Sequence, residues 1–427
     1  MTIVKVIIWD EIAGYLVQND DTGDISFQYD EDFLLKGLEI SPFHLPLENA
    51  INGTNDFSFP RLDNKTFKRL PGMISDSLPD AFGTRIINHW LERQGRTPQS
   101  FSTLERLCYV GKRGMGALEY EPAIEKQLEK SEEVEIEQLM KKVQEIFTKH
   151  DGFETGMKEE FPLLDILKVA TSAGGARPKA IIAINAKSGK IRSGQVMAPK
   201  GFEYYLLKFD GINNEHEFVD PKGSGRIEYA YSQMVKDCGI EMSETKLLKE
   251  NERAHFMTKR FDRVHGEKLH MQTLCGIAHY DRDERWSYEE AFGVLRRLRL
   301  GNQESRQLFK RMVFNIIARN QDDHTKNISF LMDKTGNWTL SPAYDMTYSY
   351  DPTGKWTRQH QMSLNGKRDK FERKDFENIA KHNNIKDYKE IIEQINEVVN
   401  NWTRYANDSG VYPEHIKMIS KAHRTKI

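Results

Sequence analysis

The sequence predicts an α+β chain with a β-rich opening, a strand-bearing middle and a mainly helical C-terminal part. Three observations carry that expectation. Short apolar or alternating runs at residues 4–9, 12–18 and 25–29 read as strands, separated by turn clusters such as Asp20-Asp21-Thr22-Gly23. Residues 181–184 and 204–209 repeat the pattern between Gly- and Pro-containing loops. From about residue 274 the apolar spacing turns mainly helical, broken by a hairpin near residue 335.

At 427 residues the chain is long enough for two or three domains and a substantial core. Its 62 Lys+Arg nearly cancel 64 Asp+Glu, and a net charge of -2 argues against a chain that coats DNA or an acidic membrane by itself. The balance is uneven. Residues 1–60 hold eleven carboxylates against Lys5 and Lys36, a local -9, so a total of -2 leaves +7 for the rest. That skew reads as a solvated acidic face. Three widely spaced cysteines, Cys108, Cys238 and Cys275, make neither a disulfide framework nor a zinc pattern and suit a reducing cytoplasm. Residues 3–9 are too short for a signal peptide and read as a first strand. No run approaches the roughly 20 apolar residues of a membrane helix. A soluble cytoplasmic protein without a membrane partner is expected.

Residues 76–93 turn helical, with Ala81, Ile86, Ile87, Trp90 and Leu91 at helix spacing and Pro79 near the start. Residues 119–149 are charged and amphipathic, with Val134, Leu139, Val143, Ile146 and Phe147 as the buried stripe. A composition shift at His150-Asp151-Gly152 puts a domain boundary between about 120 and 160.

The densest chemistry is Asn320-Gln321-Asp322-Asp323-His324-Thr325-Lys326-Asn327. Before it, residues 306–320 form a helix with Phe309, Met312, Val313, Ile316 and Ile317 on one face. After it, residues 328–332 and 338–340 read as a hairpin that returns the chain to Ser341-Pro342-Ala343-Tyr344-Asp345. Asp322 or Asp323 could simply end the helix and organise a turn. The spacing favours more. Phosphoryl transfer needs a carboxylate at the acceptor hydroxyl, plus an amide oxygen and a second carboxylate to hold Mg²⁺. Asp322, Asn327 and Asp345 supply those groups, and Lys326 lies close enough to neutralise a transferring phosphate. A second reading makes Asp322, Asp323 and His324 the ligands of a metal-dependent phosphohydrolase or nuclease. A third is a nucleotide-binding pseudokinase without turnover.

Two upstream features suit ATP phosphates. The small-residue loop Ser172-Ala173-Gly174-Gly175-Ala176-Arg177-Pro178-Lys179 lets backbone amides approach an anion. Lys208 ends a strand whose alternation puts Tyr205, Leu207 and Phe209 on one face and Tyr204, Leu206 and Lys208 on the other. It precedes a helix carrying Glu228, a candidate ion-pair partner. Gly111-Lys112-Arg113-Gly114-Met115-Gly116 has no helix start behind it and reads as a structural turn. Lys259-Arg260-Phe261-Asp262-Arg263 is either a connector between lobes or a polar loop with Phe261 tucked inward.

In order and register these residues resemble the HipA-type serine/threonine kinases, toxins of bacterial toxin–antitoxin modules. The resemblance covers most of the chain. It begins with Gly14-Tyr15-Leu16, Leu45-Pro46-Leu47, Leu78-Pro79-Asp80-Ala81-Phe82-Gly83 and Gly116-Ala117-Leu118. It continues through the loop at 172–179, Leu206-Leu207-Lys208-Phe209, Arg260-Phe261-Asp262-Arg263, the 320–327 segment and the run ending at Asp345. It implies a two-lobed, protein-kinase-like catalytic unit behind an N-terminal β-rich module. The implied organisation is a module with helical extension at 1–120, a connecting segment at 121–160, a smaller lobe at 161–260 and a helical catalytic lobe at 261–427.

The resemblance also implies roles. Asp322 would be the catalytic base, assisted by Lys326; Asn327 and Asp345 would hold Mg²⁺. Lys208, Lys179 and the loop residues Ala173, Gly174, Gly175 and Ala176 would face ATP phosphates, with His324 nearby. Lys259 and Phe261 would offer backbone to adenine, and Asp262 would reach the ribose. Ser172 matches the family's silencing autophosphorylation site. Arg177-Pro178 departs from the family's Gln-Glu, and the proline removes one amide donor. A small helix-turn-helix antitoxin would be the partner, with DNA reached only through it. The substrate would be a translation factor such as an aminoacyl-tRNA synthetase.

Overall fold

The structure, a computed structural model, describes residues 2–124, 128, 130–148, 177–212, 222–264 and 266–427. Strands β1 (Thr2–Ile8), β2 (Glu11–Gln18), β3 (Ile25–Tyr29), β4 (Phe57–Ser58) and β5 (Leu118–Glu121) form one antiparallel sheet, ordered β4-β3-β2-β1-β5. Trp9 and Asp10 both take positive φ, 51° and 66°, as a two-residue hairpin turn between right-twisted strands requires. β5 lies within the stretch that the sequence reads as amphipathic helix. That helix starts later, at Ile136–Thr148, because residues 118–121 pair with β1 instead.

The second sheet is also antiparallel. It contains β6 (Lys179–Asn185), β7 (Ile191–Ser193), β8 (Phe202–Lys208), β9 (Thr245–Glu250) and β10 (Arg253–Lys259), ordered β7-β6-β8-β10-β9. Tyr205, Leu207 and Phe209 are buried while Tyr204, Leu206 and Lys208 are less so, following the predicted alternation. Beyond a short ribbon of β11 (Arg263–Val264) and β12 (Glu267–Lys268), the hairpin β14 (Ser329–Met332) and β15 (Trp338–Leu340) gains a third strand, β13 (His270–Thr273). No local pattern announces β13, since its partner lies far along the chain.

Three hydrophobic cores form among the described residues. One fills the N-terminal sheet. A second joins the Ala81–Arg93 and Ile136–Thr148 helices to β6, β8 and β10, through Ile86, Trp90, Leu139, Ala180, Ile182 and Leu207. The third is the helical lobe, built on the Tyr288–Arg297, Asn302–Ile317 and Tyr388–Asn400 helices. The Ser224–Asp237 helix also buries Ile227, Tyr231 and Met234 in this third core, which ties the small sheet to the large lobe. Packing thus crosses the expected boundary near 120–160.

The N-terminal segment touches the helical lobe where two glycines meet. A Cβ on Gly72 would lie 2.0 Å from the Gly276 carbonyl oxygen, so only glycine permits this backbone approach. Among the described residues no helix is long and apolar enough to cross a membrane.

Candidate active site

The Asn302–Ile317 helix buries Phe309, Met312, Val313, Ile316 and Ile317, which fixes its C-terminal end against the lobe. Arg319 then adopts φ 60°, and the Asn320 N–H closes the helix end on the Asn315 carbonyl at 2.9 Å. The Asn320 amide donates to Asn315 Oδ1 at 2.9 Å and to the Asp345 carbonyl at 3.2 Å. One side chain therefore ties the helix end to the segment that returns from the hairpin.

The two adjacent aspartates diverge. Asp323 is buried and accepts from Tyr288 Oη at 2.7 Å, His360 Nδ1 at 2.8 Å and the Gln361 N–H at 2.7 Å. Asp322 faces outward with its side chain half exposed. Asp323 is the structural anchor and Asp322 the accessible carboxylate. This corrects the metal-hydrolase reading, because three protein donors occupy Asp323. Asn327 Nδ2 donates to the Asp322 carbonyl at 2.8 Å, leaving its amide oxygen as an acceptor. Tyr344 Oη donates to the Lys326 carbonyl at 2.7 Å and contacts Ser329 Oγ, so Asp345 and the 325–327 turn are held together.

His324, Asn327 and Asp345 line one small cavity, and His324 Nε2 lies 3.9 Å from Asp322 Oδ1. The structure thus gathers Asp322, His324, Asn327 and Asp345. Burial pushes His324 below the ordinary imidazole value, with Asp322 opposing, so the ring is neutral near neutral pH. Its Nδ1 is buried without a hydrogen-bond partner among the described residues. Asp345 takes φ 53°, a left-handed conformation uncommon outside glycine and typical of functional sites.

A cavity of about 590 Å³ opens beside this cluster. Lys179, Lys208, Lys259, Phe261, Lys326 and Asp345 all contribute to its wall. Lys208 contacts Asp345 Oδ1 and holds Glu228 Oε1 at 2.6 Å, the partner suggested by its sequence position. Burial alone would lower the Lys208 pKa; Asp345 and Glu228 outweigh it and hold the ammonium above the ordinary lysine value. Burial would likewise raise Asp345, but Lys208, then Lys179, keep its carboxyl below the usual range. Both groups are charged at neutral pH. Phe261 packs on Tyr344 with ring centroids 5.6 Å apart, and Lys259 pairs with Glu203 while its N–H donates to the Glu244 carbonyl at 2.8 Å.

Asp262 requires a correction. Its side chain is fully buried and bonded to Arg260 Nη2 at 2.7 Å, Arg263 Nη1 at 2.9 Å and the Gly116 N–H at 2.7 Å. Burial would raise its pKa, yet the two guanidiniums hold it far below the carboxylate range. With every oxygen engaged, Asp262 fastens the 111–116 turn to the connector and does not reach toward a ribose. Ser172, Ala173, Gly174, Gly175 and Ala176 lie outside the described residues.

Sequence reading missed two carboxylates of the N-terminal segment. Asp76, half-buried, accepts from the Thr273 N–H at 2.7 Å and Thr273 Oγ1 at 2.9 Å; burial raises its pKa, with nearby Lys326 opposing. Asp80 Oδ2 lies 3.0 Å from Lys179 Nζ. Both border the large cavity. Asp80 is legible as a helix cap after Leu78-Pro79, but no sequence signal pairs it with Lys179.

Comparison with known proteins agrees with this architecture. Residues 4–121 match the HipA N-terminal domain and residues 171–402 match the HipA-like C-terminal domain. A Haemophilus influenzae protein provisionally named a kinase is 28% identical over 159 residues, covering 32% of this chain; the match spans 46% of that relative's own length. The fold is similar to a chain from the Shewanella oneidensis toxin–antitoxin complex of HipA, HipB and operator DNA, with TM-score 0.67 at 15% identity, covering 98% of this chain and 94% of that one. At that identity the likeness shows the two-lobed fold. The C-terminal match alone spans more than half of the sequence and takes in Lys208, Asp322, Asn327 and Asp345, so this protein belongs to the HipA family.

Proposed function

We propose that this protein is an ATP- and Mg²⁺-dependent serine/threonine protein kinase that acts as the growth-arresting toxin of a toxin–antitoxin pair. The observation that carries the reading is Lys208 set between Glu228 and Asp345 in the wall of the large cavity, beside outward-facing Asp322. A fixed ammonium, a free carboxylate and a second carboxylate across a hairpin are the groups phosphoryl transfer uses. A hydrolase reading leaves Lys208 without a task.

The donor set fits magnesium. Asp345 offers carboxylate oxygen and Asn327 an amide oxygen whose nitrogen is already committed to Asp322, and hard oxygens are what this ion takes. When bound, Mg²⁺ supplies charge neutralisation at the nucleotide phosphates. The chain's own residues do the rest. Lys208 and Lys179 present ammonium groups to the phosphates. Asp322 accepts the proton of the acceptor hydroxyl as its oxygen forms the new P–O bond and the bond to the bridging oxygen of ADP breaks. Lys326 offsets charge on the transferring group.

The proposed partner is a small helix-turn-helix antitoxin that carries the DNA contacts, which suits a chain of net charge -2. A cytoplasmic translation factor such as an aminoacyl-tRNA synthetase is the proposed substrate, and phosphorylation of Ser172 the proposed off-switch. Incubation with γ-labelled ATP and Mg²⁺ followed by phosphosite mapping tests the reading. Phosphate on Ser172, absent from an Asp322→Ala variant, supports it. Binding of Mg–ATP by unphosphorylated protein with no transfer to itself or to a synthetase would make it a pseudokinase.

A further inference from the structure

Lys179 and Lys208 stand directly opposite each other in the β6–β8 ladder, and both face the large cavity. Opposed like charges repel at this spacing, so the pair persists only with compensating anions. Lys208 has two, Glu228 and Asp345. Lys179 takes its anion from the N-terminal segment. Asp80 Oδ2 lies 3.0 Å from its ammonium, with the two side chains only 3–4% exposed.

The placement of Asp80 is not accidental to the helix it begins. Asp80 is the N-cap of the Ala81–Arg93 helix, and its Oδ1 accepts the Gly83 N–H at 2.7 Å. One oxygen fixes the carboxylate against the helix, leaving the other for Lys179. The helix buries Phe82, Ile86, Ile87 and Trp90 in the core that also holds Ala180, Ile182 and Leu207, which sets Asp80 at the end of β6. A buried ion pair gains little stability over apolar packing, but removing one partner strands a buried charge. This pair sits where the proposed kinase binds phosphate.

We propose that Asp80 is a positioning residue of the nucleotide site: it holds Lys179 in the cavity wall opposite Lys208 and makes ATP binding depend on the N-terminal segment. The inference rests on the kinase reading. It makes this segment part of the phosphate site, because the carboxylate that orients one phosphate-binding lysine belongs to a different part of the chain from the lysine itself.

The test is a double-variant cycle on the full chain, reading Mg–ATP affinity by displacement of trinitrophenyl-ATP. Asn caps a helix about as well as Asp, so Asp80→Asn removes the charge and keeps the cap. Asp80→Asn should weaken Mg–ATP binding by about tenfold, in the range for partners that orient a ligand-binding group. Lys179→Met should weaken it at least as much, and D80N/K179M should match K179M within about twofold. A role in helix capping or packing alone predicts equal losses in both backgrounds. That additivity, or unchanged affinity of Asp80→Asn, overturns the proposal. Should Asp80→Asn lose its cooperative melt, the double variant lacks the stranded ammonium, and its comparison with Lys179→Met decides. Wild-type protein that fails to bind Mg–ATP instead overturns the kinase reading, and this role with it.

Discussion

Lys208 bonds to Asp345 across the cavity wall, joining strand β8 to the segment that follows the β14–β15 hairpin. The same ammonium holds Glu228 on the Ser224–Asp237 helix, so one cation links three elements. Asp345→Asn should lower phosphate transfer by roughly 10² or more, the loss typical of removing a preorganised electrostatic group. Transfer to Ser172 or a synthetase measured beside wild type, with melting curves, checks it. Transfer within a few fold of wild type would remove Asp345 from the machinery.

Asp322→Ala should lower turnover by on the order of 10²–10⁴, as expected for loss of a positioned general base. Folding should be nearly unaffected, since the side chain is half exposed while Asp323 anchors the loop. Asp323→Ala should do the reverse in kind: it strips an acceptor from Tyr288, His360 and Gln361 and should lower the melting temperature. Equal melting curves for the two variants would contradict this division.

Asp262→Asn leaves two buried guanidiniums short of their carboxylate and should cost about 3–5 kcal/mol of stability. The urea midpoint measures that loss. Because Asp262 is turned away from a ribose, wild-type protein should discriminate little between ATP and 2′-deoxy-ATP on its account. A variant with native stability and a selective defect for ATP would restore the ribose role.

Acid should destabilise the fold. Burial holds His270 down at about 4 and, with His44 stacked on it, His279 at about 3; burial also puts His423 at about 3. Unfolded histidine titrates near 6.5, so below that pH the unfolded chain binds more protons than the native one. Stability therefore falls as pH drops through about 6.5 and keeps falling toward about 3–4. Urea midpoints at about pH 7.5 and 5 should differ in that direction, and less in a His279→Asn variant. A midpoint that rises on acidification would contradict the assignment.

Much of the site follows from local rules. Helix periodicity found the helix before the loop, which runs over Asn302–Ile317 where 306–320 was expected; strand alternation turned Lys208 away from the core, and the hairpin spacing returned Asp345 to the loop that carries Asp322 and Asn327. These are faces and distances along one stretch of chain. The connector was harder, because Lys259-Arg260-Phe261-Asp262-Arg263 reads as a polar run whichever way its side chains turn. Strand β13 was hidden for a similar reason, since its register is set by β14.

The sequence alone determined the α+β order of elements and the family, and it singled out Asp322, Asn327 and Asp345 as candidates for the proposed phosphoryl transfer, because periodicity and short spacings survive without knowledge of distant partners. Only the tertiary structure decided which of two adjacent aspartates faces outward, where Asp262 spends its charge, and that Asp80 meets Lys179. Those outcomes depend on which remote segments pack together. A buried charge takes the partner that packing brings within about 3–4 Å, a choice no local pattern records.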